Sequence, residues 1–136
     1  MMRRAKRQRG GTLVEFAVVL PVFFILIMGI IEFGRAYNIQ QNLTDAAREG
    51  ARYSVAPMAG TDTLPSASQV TDRVNTFLTA DGVTGTVSVN QTLSRTVNGF
   101  PLVYTQVDVS APYQFLFFPY GTITLTAHSV MRNETN

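Results

Sequence analysis

The spacing of apolar and polar residues divides this chain into three regimes. Phe16 to Ile31 is an unbroken uncharged run, and carried back to Gly11 it is interrupted only by Thr12 and Glu15. Residues 11–31, at about 1.5 Å rise per residue, form a helix of roughly 30 Å, the thickness of a bilayer's hydrocarbon core. Pro21 lies within it and removes one backbone hydrogen bond, so a kink is expected there, which membranes tolerate better than water does. Past Ile31 no breaker appears. Phe33, Ala36/Tyr37, Leu43, Ala46/Ala47, Gly50/Ala51 and Val55 keep helical spacing while Asn38, Gln41, Asn42, Asp45, Arg48, Glu49 and Arg52 fill the other faces. One helix is therefore predicted over about residues 12–55, near 65 Å long. Glu32 and Arg35 are spaced to pair across one turn.

The third regime begins with a loop, Pro57 to Ala67, rich in Gly, Thr, Pro and Ser. Ser66 or Ser68 can cap a second, short helix carrying Val70, Val74, Phe77 and Leu78 on one face, and Asp81-Gly82 then turns the chain. Beyond it the period falls to two. Val83/Gly85/Val87/Val89, Val103/Thr105/Val107/Val109 and Ile123/Leu125/Ala127/Ser129/Met131 each alternate with polar residues, and Asn98-Gly99 marks a hairpin turn. The pattern predicts an α+β architecture: a long N-terminal helix, membrane-spanning in its first half, packed on a small antiparallel sheet of about three strands. Its organisation reads as a basic leader (1–10), a transmembrane helix (11–31), the extracytoplasmic continuation of that helix (32–56) and a small α+β domain (57–136).

Two further features bear on contacts. The small stripe Ala46, Ala47, Gly50 and Ala51 lets another backbone approach closely, either this chain's own sheet or a second subunit. The segment Tyr113 to Tyr120, with Phe115, Phe117 and Phe118, is the most apolar outside the membrane run. It reads as loop residues that close a small core, or as a patch for a subunit or a membrane interface.

Charge changes the picture more than composition does. The formal net charge of the 136 residues is +2, yet five of the eleven Lys and Arg precede Gly10, so from Gly11 onward the chain is acidic. That body does not suit a nucleic acid. With no cysteine, disulfides, thiolate metal sites and Cys nucleophiles are excluded. His128 stands alone on the polar side of a strand, and no phosphate-binding loop, nucleophile elbow or metalloprotease motif occurs. The acidic residues lack calcium-loop spacing. No enzyme, cofactor, metal site or small-molecule substrate is expected.

The N-terminal run of Arg3, Arg4, Lys6, Arg7 and Arg9 holds its side of the membrane cytoplasmic and sends residues 33–136 across. A charged group deep in a bilayer costs about 2.5–3.5 kcal/mol on insertion scales, so Glu15 calls for a function and a partner. Three readings compete. A secretory signal would use Gly34 and Ala36 as its small pair, but the run is long for a signal and Glu32 and Arg35 crowd the cut. An uncleaved anchor would leave Glu15 snorkelling toward the headgroups. A cut between Gly10 and Gly11 would leave the helix on the product, make Glu15 its fifth residue and create a new ammonium on Gly11.

The residues Gly-Gly-Thr-Leu-Val-Glu-Phe-Ala-Val-Val-Leu-Pro, then Gly-Ile-Ile-Glu-Phe-Gly-Arg-Ala-Tyr, then Asp-Ala-Ala-Arg-Glu-Gly-Ala-Arg resemble the TadE-like family of tight-adherence pseudopilins over about residues 9–53. The resemblance implies a pilin-like fold and processing by a prepilin peptidase after Gly10, with Glu15 and Phe16 as the Glu-aromatic pair of the processing motif. It further implies work as a minor or priming subunit of a tight-adherence (Flp-type) pilus or secretion machine. Expected partners are the peptidase, other pilin or pseudopilin subunits and the inner-membrane assembly platform. On this reading Glu15 pairs with the N-terminus of an adjacent subunit, and the protein sits in a bacterial inner membrane or in an extracellular filament. The alternative is a monomeric signal-anchored domain that binds a partner outside the cytoplasm.

Overall fold

A computed structural model describes residues 5–60, 62–117 and 121–133. Five elements follow in order: α1 (Ala5–Val55), α2 (Ala67–Ala80), β1 (Thr86–Val97), β2 (Phe100–Gln114) and β3 (Thr122–Arg132). The architecture is the α+β arrangement expected from the periodicities, with a long apolar N-terminal helix, a short second helix and a three-stranded antiparallel sheet ordered β1-β2-β3.

α1 is longer than the pattern implied. Its 51 residues make a rod of about 76 Å at the usual rise. It extends back into the basic run, because Ala5 to Arg9 are good helix formers with no breaker among them. The helix passes through Gly10-Gly11 and through Pro21 without ending at either. Pro57 follows two residues after it, and the residue before a proline is biased away from helical backbone.

α2 is defined at both ends by its caps. Ser66, rather than Ser68, is the N-cap: its hydroxyl accepts from the Gln69 N–H at 3.4 Å, and the Ser66 N–H donates to Gln69 Oε1 at 2.9 Å. At the other end the Gly82 N–H donates to the Thr79 carbonyl at 3.1 Å and the Val83 N–H to that of Leu78 at 2.9 Å. That pair of bonds is a Schellman closure, and it needs the left-handed backbone that Gly82 supplies at φ 69°. Val70, Val74 and Leu78 are buried, and Phe77 packs half-buried beside them.

The sheet corrects two strand limits. β1 runs on past Asn90 to Val97 through an irregularity between Asn90 and Leu93. Before it Val87 and Val89 face Val109 and Val107; after it Leu93 stands opposite Tyr104, on the other face. The extra residue reverses the alternation, which hides the continuation from a period-two reading. β2 includes Tyr113 and Gln114, expected as loop. Pro112 does not interrupt it, since β1 pairing ends at Thr86↔Ser110 and only β3 flanks β2 there. The β1–β2 hairpin turns on Asn98 (φ 52°) and Gly99 (φ 84°), the paired positive angles of a tight two-residue turn.

Both helices cover one face of the sheet. The core unites Leu43, Ala46, Ala47 and Ala51 of α1 with Val70, Val74 and Leu78 of α2, Val107, Val109 and Ala111 of β2, and Ala127 of β3. Of the two neighbours expected for the stripe Ala46, Ala47, Gly50 and Ala51, the chain's own domain is the one it packs against: all four are buried inside it. Small side chains there bring α1 close to α2 and the sheet. A Cβ added at Gly50 would lie 2.4 Å from Val74 Cγ2 and 3.3 Å from Val107 Cγ1. Both neighbours are β-branched and stiff.

Two glycines of the same helix are thus expected to respond with opposite sign. Gly50→Ala should destabilise by about 1–3 kcal/mol through overpacking, despite alanine's better helix propensity. Gly34→Ala, where nothing lies within 4 Å of the new methyl, should stabilise by up to about 1 kcal/mol. Thermal unfolding of the full chain in detergent reads both.

Candidate functional site

α1 serves two environments in succession. From Leu13 to Ile31 nearly every large apolar side chain is exposed, and no residue of the apolar stretch is buried by the rest of the chain. It is long and apolar enough to cross a membrane, which is consistent with a single-pass anchor. From Leu43 onward the helix instead has one face buried in the domain.

The sequence-expected N-terminal residues all lie on this exposed half. Gly10 and Gly11 are in unbroken helix, and Glu15 and Phe16 are both exposed. Glu15 follows Gly11 by four residues, one turn up the same face, about 6 Å along the axis. Pro21 is exposed within the span. The apolar loop residues are far from that end: Phe115 is half-buried, Phe117 is exposed, and Phe118 lies outside the described residues.

Between the two halves sits Glu32, one residue beyond the apolar run and 4% exposed. Its carboxylate accepts from the Tyr113 hydroxyl, from the Leu116 N–H at 3.0 Å and from the Phe117 N–H at 3.2 Å. The Arg35 guanidinium completes the shell at 3.0 Å. The Tyr113 hydroxyl also lies 3.0 Å from the Glu32 main-chain carbonyl. Arg35 in turn lies 5.5 Å from the centre of the Tyr113 ring, and Phe115 meets that ring edge-on at 5.3 Å.

Two successive amide groups, a hydroxyl and a cation converge on one carboxylate, a donor set built for the charged form. Burial opposes that charge. The Tyr113 hydrogen bond, the Leu116 and Phe117 amides and Arg35 outweigh it, and hold the Glu32 carboxyl below its ordinary range. Burial first, then the bond to Glu32 and its negative charge, push Tyr113 above its ordinary value, with Arg35 pulling the other way.

The sequence placed Glu32 in a one-turn pair with Arg35, which is present, but not in this clamp. Its other partners lie more than eighty residues away, beyond the reach of local spacing. The available signal was a carboxylate at the lip of an apolar span, the same kind of signal that drew attention to Glu15. A second clamp closes the far end of the domain: Glu49 accepts from Arg52 at 2.9 Å and from Arg73 of α2 at 3.0 Å. Against the cost of burial these bonds hold its carboxyl low as well.

These directions set the acid and alkaline limits of the fold. Below the ordinary carboxyl value of 4.5, the unfolded chain takes up protons that folded Glu32 and Glu49 resist, so stability should fall as pH drops through their folded values. Above the ordinary tyrosine value of 10.0, the unfolded chain releases a proton that folded Tyr113 retains, so stability should fall again as pH rises. Tyr113→Phe should cost about 1.5–3 kcal/mol at neutral pH, as expected for a lost hydrogen bond to a charged group, and remove its share of the alkaline limb. Melting curves of the full chain in detergent between pH 3 and pH 11 check both limbs.

No curated protein and no solved structure matches the chain. A family model described as TadE-like protein matches residues 10–52. That stretch holds the exposed apolar half of α1, the Glu32 junction and most of the helix above it, and over this segment the chain is similar to TadE-like proteins.

Proposed function

We propose that this protein is a pseudopilin of a tight-adherence pilus or secretion machine, cut by a prepilin peptidase after Gly10 and then used as a minor or priming subunit. The observation that carries the reading is the family match over residues 10–52, coincident with an exposed apolar helix whose carboxylate Glu15 stands one turn from Gly11. The match supports a part in tight-adherence pilus function in general, and the finer role is our inference. In it residues 1–10 are a temporary leader, residues 11–31 the membrane anchor and residues 57–136 the extracytoplasmic domain. The N-terminus faces the cytoplasm of a bacterial cell.

The helix continues through the proposed cut, but each glycine there weakens it by about 1 kcal/mol relative to alanine. Gly10-Gly11 is therefore the point at which the first turns unwind most readily into a peptidase cleft. Removal of residues 1–10 takes away the basic run and exposes an ammonium on Gly11. Glu15 can meet that ammonium on a neighbouring subunit, where the pair would set axial register and offset the cost of a carboxylate in hydrocarbon. The protein is then the peptidase's substrate and carries no chemistry of its own.

The first residue of the mature chain tests this. Gly11 at the N-terminus is the expected result. Intact Met1 or Met2 would instead support the monomeric anchored domain, and Tyr37 first would mean a secreted soluble domain. Glu15→Gln should leave cleavage in place and strongly reduce recovery of the protein in sheared filaments or pilus-assembly complexes. Unchanged recovery would return Glu15 to a headgroup-facing role.

A further inference from the structure

We propose that Leu116 and Phe117, just after β2, together with Phe33 of α1, form a second membrane contact that seats the domain on the lipid surface where the anchor emerges. The inference rests on the single-pass reading of residues 11–31.

The geometry begins with height. The apolar run ends at Ile31, and the next residue, Glu32, holds the Leu116 and Phe117 amides at 3.0 and 3.2 Å. The backbone at Leu116 and Phe117 is thereby tied to the level of the span's last turn. From that level Leu116 (63% exposed) and Phe117 (40%) present uncovered side chains, and Gln114 to Phe117 carries no charge. Phe33 follows Glu32, about 100° further round the helix, and is 72% exposed. Below them Ile30 and Ile31 are exposed too, so the apolar surface of the collar is continuous with that of the span.

The polar groups nearby suit the same position. The Glu32 charge faces inward onto amides, hydroxyl and guanidinium, so an apolar collar can settle into lipid without dragging a bare carboxylate with it. Arg35, one turn higher and with a part-exposed side chain, stands at the level of the headgroups. Apolar and aromatic side chains with an arginine just above them match the layering of a bilayer interface. A contact with another protein subunit would not require the loop to share a level with the end of the span. A contact with lipid does.

The chain contains no tryptophan, so single indoles report position cleanly. Phe117→Trp, Phe23→Trp and Phe100→Trp, each in the full chain, are reconstituted into phosphatidylcholine vesicles with plain or brominated acyl chains. Phe23 lies in the span. Phe100 lies at the membrane-distal hairpin, roughly 40 Å from Tyr113 along β2 at the usual strand rise. The expected result is loss of emission in brominated lipid for Phe117→Trp and Phe23→Trp, and unchanged emission for Phe100→Trp. Loss at Phe23→Trp alone overturns the loop contact while leaving the span intact. A blue-shifted but unquenched indole from Phe117→Trp that returns to longer wavelength on dilution into excess lipid identifies a second copy as the occupant, and also overturns it. No quenching at any of the three positions overturns the membrane reading and the collar with it.

Discussion

A carboxylate buried where a helix leaves an apolar span is stable only if every lone pair is answered, and the rest of this fold is arranged so that Glu32 is answered. Its donors come from its own helix one turn on, from the last inward-facing residue of β2, and from two main-chain amides beyond it. Tyr113 can reach it because β2 continues four residues past its last pairing with β1, from Ser110 to Gln114. The amides can reach it because the chain turns just after Gln114. Loss of any one donor leaves a desolvated charge partly unmatched, a cost larger than the net worth of the bond itself. The clamp therefore makes the register between α1 and β2 a matter of satisfying a charge, and not only of filling a core.

The second constraint acts from the other end of the same helix. Above Glu32, α1 must lie close to α2 and across the sheet, and it does so by presenting Ala46, Ala47, Gly50 and Ala51 where larger side chains would hold the layers apart. Below Glu32 it presents valine, leucine, isoleucine and phenylalanine outward. A uniform amphipathic stripe would serve neither half. The helix is all-round apolar where lipid would be its solvent, and one-sided where water is. Glu32 stands at the change.

Much of this was legible from spacing alone. The apolar run, the helix above it, Ser66 as a cap and Asn98-Gly99 as a turn are local signals, and each resides where its own physics puts it. The features that escaped have non-local or phase-breaking causes. β1 beyond Asn90 was hidden because the bulge carries Leu93 to the opposite face. Tyr113 and Gln114 read as loop because the aromatic run after them and the proline before them both suggest irregular backbone. The small-residue stripe fits an intramolecular or an intermolecular neighbour equally well by composition, and only the packing of Val74 and Val107 against Gly50 decides between them. Beyond its pair with Arg35, the Glu32 clamp could not be read from spacing, since its acceptor and its other donors are brought together only by the completed fold.

Glu15 and Glu32 are then two versions of one problem, solved at different levels of organisation. Each is a carboxylate at one end of the same apolar stretch, and each carries a cost that must be offset. Glu32 is offset within the chain, by groups that are already in place when the domain folds. Glu15 is exposed on a part of the helix that the domain never covers. In the proposed assembly its cation is the Gly11 ammonium of a neighbour, absent until residues 1–10 are removed. The domain could therefore fold and dock on its own helix before processing, while contacts along the span would wait for it. A subunit built this way separates folding from assembly by assigning one carboxylate to each.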